Sequence, residues 1–494
     1  MKSVALHNLG CKVNSYEIEV MQQMLQEKGY NIVSFDQIAD IYIVNTCTVT
    51  NIADRKSRQM LHRAKQMNPN AIVVAVGCYV QTGKAAVETD ECVDLAIGNN
   101  RKKDILAILE EYLRERGMSE AEESPVPECD APCKPDKTLH DTTVIDINNT
   151  YEYEEMTLHQ TAEHTRAYIK IQDGCNQFCS YCVIPYARGR VRSRRAEDIL
   201  KEIRGIVAAG YREVVLTGIH ISSYGIDFKD EEWQKGNSVE AHRTEERRDY
   251  SGSSKLIDLI ERIHAVDGLE RIRLGSLEPR IVTEEVAKRL ARLPKICPHF
   301  HLSLQSGCDE TLKRMNRHYT TGEYFRSVEA LRKEFACPAI TTDVIVGFPG
   351  ETEEEFSETK EFLEKICFYE MHVFKYSKRG GTRAAVMPDQ VPDRWKMERS
   401  NELLAMERRQ SREFRSRYIG KVAEVLLEES KEMDGTEYAL GYTKDYVKIA
   451  IPTSQKACEG QNTSEDMRKL LPNHSMDVKV VDFLTDEILL AELL

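Results

Sequence analysis

The sequence predicts an α/β protein in three parts: an N-terminal doubly wound parallel sheet, a central partial (β/α)6 barrel of the TIM kind, and a small C-terminal all-β barrel of OB-like character. Three observations predict it. Short apolar runs alternate with amphipathic helical stretches over residues 1–117 and again over 166–393, the pattern of parallel sheets wrapped by helices. From residue 418 on, helical periodicity gives way to five short β-rich runs separated by turn residues. Composition changes sharply between these parts, and 494 residues leave room for about three domains.

In the first part the expected strands are 3–9, 32–35, 40–46, 71–77 and 93–98, with helices near 14–28, 51–67, 81–89 and 101–116. Sites in such sheets form beyond the carboxyl ends of the strands. Cys11, Cys47 and Cys78 each follow a strand end and so fall on one rim, whereas Cys92 precedes its strand and belongs to the opposite rim. This sorting selects three cysteines out of four. Residues 118–165 hold twelve Asp and Glu against two Lys, with Pro at 125, 127, 132 and 135 and no clear period. They read as an acidic, flexible linker or insertion, in which Cys129 and Cys133 form an incidental pair.

The central part reads as six β/α units, with strands at 167–173, 213–219, 271–277, 300–306, 341–348 and 371–377. Helical patterns fall at 196–208, 255–265, 282–292, 309–315 with 321–335, and 352–366. The active face of such a barrel is the carboxyl end of its strands. The stretch 226–254, with 13 charged residues of 29, reads as a surface insertion. Residues 394–417 read as a basic linker helix, and 418–494 as the closing β-barrel.

Composition bounds the function. No run of 18 or more apolar residues is present, so no membrane span is expected, and the N-terminus reads as a core strand instead of a signal peptide. With 14 cysteines in no disulfide-like pattern, reduced thiols and metal ligation in a cytoplasmic protein are expected. The net charge of −13 does not exclude nucleic acid, because 118–165 alone carries −10 of it. Basic clusters stand elsewhere: Arg188, Arg190, Arg192, Arg194 and Arg195, and the stretch 394–421 with nine Lys and Arg against four Glu. Local patches decide phosphate binding more than the global sum. The five arginines are RNA-binding candidates, a solvated charged face being the plainer alternative.

The compact run GCNQFCSYC holds Cys175, Cys179 and Cys182 in a C-x3-C-x2-C spacing on the loop after the first barrel strand. Three thiolates can hold three irons of a four-iron cubane, one ligand short of a closed site, and the fourth iron can take an exogenous ligand. A zinc knuckle is the competing reading, but it would want a fourth Cys or His nearby. His164 lies on the far side of a strand, and His220 stands about forty residues on. The scattered Cys11/Cys47/Cys78 set gives a second incomplete site, and two such sites point to an enzyme.

The C-x3-C-x2-C run, with aromatic Tyr181 before its last cysteine, resembles the radical S-adenosylmethionine (SAM) family. Other strand-end residues resemble that family's SAM contacts in order: Thr217-Gly218 after the second strand, Ser276 and Glu278 after the third, Gln305-Ser306 after the fourth, and Val346-Gly347 after the fifth. Each alone is more often structural. An N-terminal α/β domain with its own cysteine triad, a radical SAM barrel and a small β-barrel resembles the methylthiotransferases along nearly the whole chain. GCKVNSYE, VNTCTVT, GCNQFCSYCVIPYARGRVRSR, HLSLQSG and VFKYSKRGGTRA carry the likeness, and the last domain is similar to their TRAM domain. GCKVN and GCNQFCSYC most resemble the branch acting on threonylcarbamoyladenosine at tRNA position 37; the isopentenyladenosine branch reads closer to GCQMN.

The resemblance implies two 4Fe–4S clusters and SAM as cofactors. SAM serves both as methyl donor and as source of a 5′-deoxyadenosyl radical, because carbon 2 of adenine bears an unactivated C–H bond with no acid–base handle. It also implies a tRNA partner presenting an unstacked anticodon-loop base, of the ANN-decoding type, and a low-potential electron donor such as flavodoxin or ferredoxin. A monomer is expected, and no protein nucleophile or base is assigned. The alternatives are a methylthiotransferase for isopentenyladenosine or for a ribosomal-protein aspartate, and, of another class, a non-enzymatic iron–sulfur RNA-binding protein.

Overall fold

A computed structural model describes residues 2–117, 141–160, 165–229, 251–453 and 470–494. Contacts divide the chain into two compact units. The first comprises 1–158, 173–176 and 182–192, and the second comprises 159–172, 177–181 and 193–494. Cys129, Cys133 and most of both proposed insertions lie outside the described residues.

The first unit is built on a six-stranded parallel sheet in the order β2-β1-β3-β4-β5-β6, made of Ser3–Asn8 (β1), Asn31–Val33 (β2), Ile41–Thr46 (β3), Ile72–Gly77 (β4), Leu95–Ile97 (β5) and Asp141–Thr143 (β6). The central strands β3 and β4 are buried along their whole length, which is why they read as apolar runs, IYIV in β3 before Asn45 and Thr46, and IVVAVG in β4. Helices Lys12–Glu27, Asn51–Met67 and Ile105–Glu115 follow β1, β3 and β5. Thr50 caps the second by accepting a hydrogen bond from the Ala53 N–H.

One expectation is corrected here. The supposed linker 118–165 is not all linker, because β6 extends the sheet beside β5 in parallel. Ile147, Met156 and Leu158 are buried, and the Met156 carbonyl accepts from the Tyr16 hydroxyl at 2.5 Å. Three residues are too few to show a period, and the acidic flanks hide the strand.

The second unit carries the barrel strands. The segments Arg166–Asp173 (β7), Arg192–Ser193 (β8), Glu213–Gly218 (β9) and Arg271–Leu274 (β10) form a sheet in the order β10-β9-β7-β8. The segments His299–His301 (β11), Ala339–Val346 (β12) and Glu370–Lys375 (β13) form a second sheet, and a parallel Leu277–Leu302 bridge joins the two series. The fourth strand was expected over 300–306. It stops at His301; beyond it the Leu304 N–H turns to the Thr342 hydroxyl, and Gln305, with a left-handed backbone (φ 71°), meets β12 only as a bridge to Val344. Two outer helices, Thr321–Glu334 and Glu353–Ile366, start at capping boxes, Thr320 with Glu323 and Thr352 with Glu355.

The helix Asp393–Ser416 follows, and then a closed five-stranded barrel in the order β14-β15-β16-β18-β17. Its strands are Val422–Met433 (β14), Thr436–Tyr442 (β15), Lys448–Pro452 (β16), Ser475–Phe483 (β17) and Ile488–Leu493 (β18). The helix is basic in sequence but less so at its surface. Arg399 pairs with Glu351 and Glu353, and Arg415 with Glu370. The small barrel belongs to the same compact unit as the strands before it. Arg271 reaches Glu424 at 2.7 Å, Arg166 reaches Glu428 at 2.7 Å, and Tyr369 with Phe414 joins its apolar core. No helix among the described residues is long and apolar enough to cross a membrane.

Candidate metal and cofactor sites

Cys11, Cys47 and Cys78 stand after β1, β3 and β4, three neighbours in the sheet, whose ends are in register at Asn8–Asn45 and Thr46–Gly77. Side chains tie the three rim loops together. Asn14 donates to the Leu9 carbonyl (2.6 Å) and the Thr46 carbonyl (3.1 Å). The Thr46 hydroxyl donates to the Val76 carbonyl at 2.6 Å and accepts from the Tyr79 N–H at 3.2 Å. The Cys47 N–H donates to Ser57 Oγ at 3.2 Å, and Asn99 Nδ2 lies 3.5 Å from Cys78 Sγ. Gly10 is demanded by this arrangement: its φ is +109°, and a Cβ there would stand 2.9 Å from Cys47 Sγ.

Burial pushes the Cys47 thiol up to about 11, and the neighbouring Cys78 and Cys11 add to this against a backbone hydrogen bond. Cys11 keeps an exposed edge, though the protein packed around its sulfur pushes the thiol up while Arg188 pulls it down. Thiols that deprotonate so reluctantly want a cation among them. Cys92 precedes β5, at the other end of the sheet, beside Asp90.

The donors fit an iron–sulfur cluster. Among the described residues, the His/Cys/Asp/Glu groups whose ligand atoms lie within 4.8 Å of one another are His62/Asp90/Cys92 and His301/Asp343/His372. The Cys11/Cys47/Cys78 set is not one of them, whereas a single zinc ion with ~2.3 Å Zn–S bonds would draw its sulfurs to about 3.8 Å. A second sign of fit is Arg188, fully buried with its Nε lacking a hydrogen-bond partner. The remaining guanidinium nitrogens meet Glu17 (2.9 and 3.0 Å), Asp173 (3.2 Å) and Asn14 (2.6 Å). Burial opposes its charge, but Cys78, Glu17 and Asp173 hold the guanidinium well above its ordinary value.

Arg188 was expected to face RNA, and this is corrected, as are Arg192 and Arg194. All three are buried, Arg192 lying 3.8 Å from Asp173 and Arg194 paired with Glu202. Three of the five arginines in the row thus face carboxylates of the interior. Arg190 is half-buried and Arg195 exposed.

The run Cys175–Cys182 follows β7, with all three thiols partly exposed. Gly174 opens the loop with φ +72°; a Cβ there would stand 1.8 Å from the Arg190 carbonyl oxygen, so only glycine fits. The Cys175 N–H donates to the Gly189 carbonyl at 3.0 Å. Phe178 takes a left-handed backbone (φ 49°), and Asn316 Nδ2 donates to its carbonyl at 3.0 Å. Arg317 donates to Cys179 Sγ at 3.3 Å and to the Tyr319 hydroxyl at 3.0 Å. Sequence reasoning missed Arg317, which lies in no motif.

The strand-end residues divide. Tyr181 donates to Gln305 Oε1 at 3.1 Å, which brings two predicted contacts together. Glu278 is buried and gathers Arg280 (2.5 Å), Gln177 (3.2 Å) and His220 (3.3 Å). His220, given no role from sequence, is fixed by Ser223 at 2.7 Å. Thr217 is buried, Gly218 half-buried and Ser276 exposed. Val346 is buried, and the Gly347 N–H donates to the Glu351 carboxylate. Ser306 is a correction: its hydroxyl is occupied by the Cys308 N–H and Thr359, both at 3.3 Å, and so supports the loop instead of a ligand.

Burial alone would raise the Glu278 carboxyl, but His220 and Arg280 bring it down to about 2. Its stabilisation is therefore complete above the unfolded value near 4.5 and disappears as pH falls through about 2. Glu278→Gln should cost about 2–3 kcal/mol at pH 7, the difference from wild type narrowing steadily below pH 4.5. Urea midpoints between pH 7 and 3 check this; a constant difference would contradict it.

Similarity to known proteins follows the same division. A pattern described as the Radical SAM superfamily matches residues 169–363, and one described as Uncharacterized protein family UPF0004 matches residues 3–98. The chain is 40% identical to "Threonylcarbamoyladenosine tRNA methylthiotransferase MtaB" of Bacillus subtilis (strain 168), over 91% of this chain and 90% of that protein. The same-named protein of Aquifex aeolicus (strain VF5) is 38% identical over 90% and 96%. A "tRNA-2-methylthio-N(6)-dimethylallyladenosine synthase" of Moorella thermoacetica is 32% identical over 92% and 93%. Among solved structures, the radical S-adenosylmethionine methyltransferase TsrM from Kitasatospora setae matches with a TM-score of 0.51 at 16% identity, covering 78% of this chain and 74% of that one, a likeness of fold.

Proposed function

We propose that this chain, which belongs to the radical SAM methylthiotransferase family, places a methylthio group on carbon 2 of N6-threonylcarbamoyladenosine at position 37 of ANN-decoding tRNA. The observation that carries the reading is the pair of incomplete cysteine triads, one on three adjacent strand ends and one on the loop after β7. Identity of 33–40% to the threonylcarbamoyladenosine relatives, against 30–33% to the dimethylallyladenosine ones, favours that substrate.

Cys175, Cys179 and Cys182 would hold one 4Fe–4S cluster, and Cys11, Cys47 and Cys78 the other. When bound, these groups and SAM supply the radical and the sulfur that the chain itself lacks. The chain's own residues orient and insulate. Arg317 places a cation against Cys179 and is itself seated on the Tyr319 ring, 4.8 Å away. Tyr181 holds Gln305 in its left-handed turn beyond the end of the fourth barrel strand. Glu278 presents a carboxylate that stays charged at neutral pH. Arg188 offsets the negative charge gathered by the first triad. A low-potential donor such as flavodoxin or ferredoxin supplies the electron, and the small terminal barrel, similar to a TRAM domain, offers a surface to RNA backbone.

Nucleoside mass spectrometry of tRNA from a deletion strain tests the substrate. The expected result is loss of 2-methylthio-threonylcarbamoyladenosine with its unthiolated precursor retained. Normal levels of the methylthio product would exclude this reading, and selective loss of the isopentenyl counterpart would move the protein to the other branch.

A further inference from the structure

Three neighbouring strands of the barrel bring an unassigned polar group together. In the register of β11, β12 and β13, His301 is paired with Thr341 and Asp343 with His372. Thr341 and Asp343 are two residues apart on β12, so all four side chains share one face of this sheet. The opposite face carries Ile340, Val344 and Val346, all buried. His301 is fixed at both ring nitrogens, Nδ1 to Thr341 Oγ1 at 3.1 Å and Nε2 to Asp343 Oδ2 at 3.3 Å. The imidazole of His372 stacks on it, with ring centroids 6.0 Å apart and planes tilted by 26°. His372 is exposed, and its ring nitrogens enter no hydrogen bond seen among the described residues.

Two surroundings meet at this group. On one side His372 lines a cavity of about 880 Å³ together with Arg408, Arg412, Tyr442, Tyr446 and Lys448. Tyr442 and Tyr446 stack there at 4.7 Å, with Arg166 over both rings at 5.0 and 4.9 Å, Arg273 over Tyr446 at 4.5 Å and Lys448 over Tyr442 at 5.7 Å. Of the four acids that line this cavity, Glu370 is matched by Arg415 and Asp486 by Arg412, while Glu407 and Glu487 stand among the same arginines. On the other side stands Arg317, which touches Cys179 and adds to the positive field at Asp343. Burial opposes the charge on Asp343, but His301, His372 and Arg317 hold its carboxyl below its ordinary value. Asp343 is thus committed to orienting His301, and the donor left over is His372.

We propose that His372, backed by the His301–Asp343 pair, binds the carboxylate of the N6 substituent of the substrate adenine and so separates an acidic substituent from an apolar one. This rests on the substrate reading above. An isopentenyl group offers that donor nothing, whereas a threonylcarbamoyl group ends in a carboxylate to which an imidazole N–H can donate.

The test uses the reconstituted full-length enzyme and three synthetic anticodon stem-loops: one with threonylcarbamoyladenosine, one with its methyl ester and one with isopentenyladenosine. For the wild type, esterification should lower kcat/KM about 10- to 100-fold, the loss of one charge-assisted hydrogen bond. His372→Phe, which keeps the stacking ring, should lower kcat/KM on the acid by a similar factor, mostly through KM, and lose nothing more on the ester. His372→Gln should recover part of the loss. Iron content and RNA-independent SAM cleavage should stay at wild-type values in both variants. If His372→Phe remains as sensitive to esterification as the wild type, the inference falls while the substrate reading stands. If the wild type modifies only the isopentenyl stem-loop, the substrate reading itself falls. Stoichiometric zinc in the wild type, absent from His372→Phe, would reassign the group as a metal site and overturn the proposal.

Discussion

Replacing Cys11 and Cys47 together with alanine is expected to remove about half of the iron, about four of eight atoms, and to abolish methylthio transfer while leaving reductive cleavage of SAM. The complementary change, Cys175→Ala with Cys179→Ala, should remove the other half and abolish SAM cleavage. The expectation rests on how differently the two sets are held. Cys11, Cys47 and Cys78 depend on three adjacent strand ends sewn together by Asn14, Thr46 and Asn99. The other set depends on a single loop, opened by Gly174 and shaped by the left-handed Phe178 and by Asn316. The two sets of supports are different residues, linked through Arg188, which meets both Asn14 and Asp173; removing thiols leaves that link and both backbone scaffolds in place. Iron analysis and 5′-deoxyadenosine formation, measured on the same anaerobic preparation, read the two outcomes together. Loss of all iron from either double variant would mean the sites are not independent.

Much of this arrangement was legible in the sequence because it depends on periodicity. Strands buried on both faces, such as β3 and β4, print themselves as apolar runs, and a cysteine just after such a run can only stand on the carboxyl rim. The five strands of the terminal barrel were legible through alternation of buried and exposed positions between turn residues. What stayed hidden depends on pairing across long separations. Nothing near Arg188 announces that its carboxylates are Glu17, 171 residues earlier, and Asp173. The local run Arg188, Arg190, Arg192, Arg194, Arg195 therefore read as a basic surface, although three of its members are interior ions. Arg317 and the His301/Asp343/His372 group were invisible because strand register, not sequence spacing, brings their partners together. Strand β6 was missed because its three residues show no alternation. Ser306 was misread because a hydroxyl at a strand end looks the same in sequence whether it meets a ligand or the next helix.

Arg188→Met is expected to destabilise the protein by about 3 kcal/mol, toward the lower end of the ~3–5 kcal/mol typical when one partner of a buried ion network is removed. The methionine fills much of the space, so the loss is electrostatic more than a cavity effect. It leaves Glu17 and Asp173 buried with fewer positive partners, but not with none. Glu17 keeps Lys102, and Asp173 keeps the Gly174 N–H at 2.8 Å and Arg192 at 3.8 Å. That residual pairing is why the lower figure applies. Adding Glu17→Gln to Arg188→Met should cost less than the sum of the two single changes, because the second removes a charge that the first has orphaned. Urea midpoints of the three variants test this, and strict additivity would show that the groups do not act as one network. The same substitution also removes a cation from beside Cys78. A site rich in thiolates then gains an electron less readily, so the midpoint potential of the iron held by the first triad should move to more negative values. That iron should also become more accessible to a chelator. A redox titration followed by electron paramagnetic resonance reads the shift. An unchanged potential in a folded Arg188→Met protein would show that Arg188 serves the fold alone and that its unpaired Nε faces no anionic group.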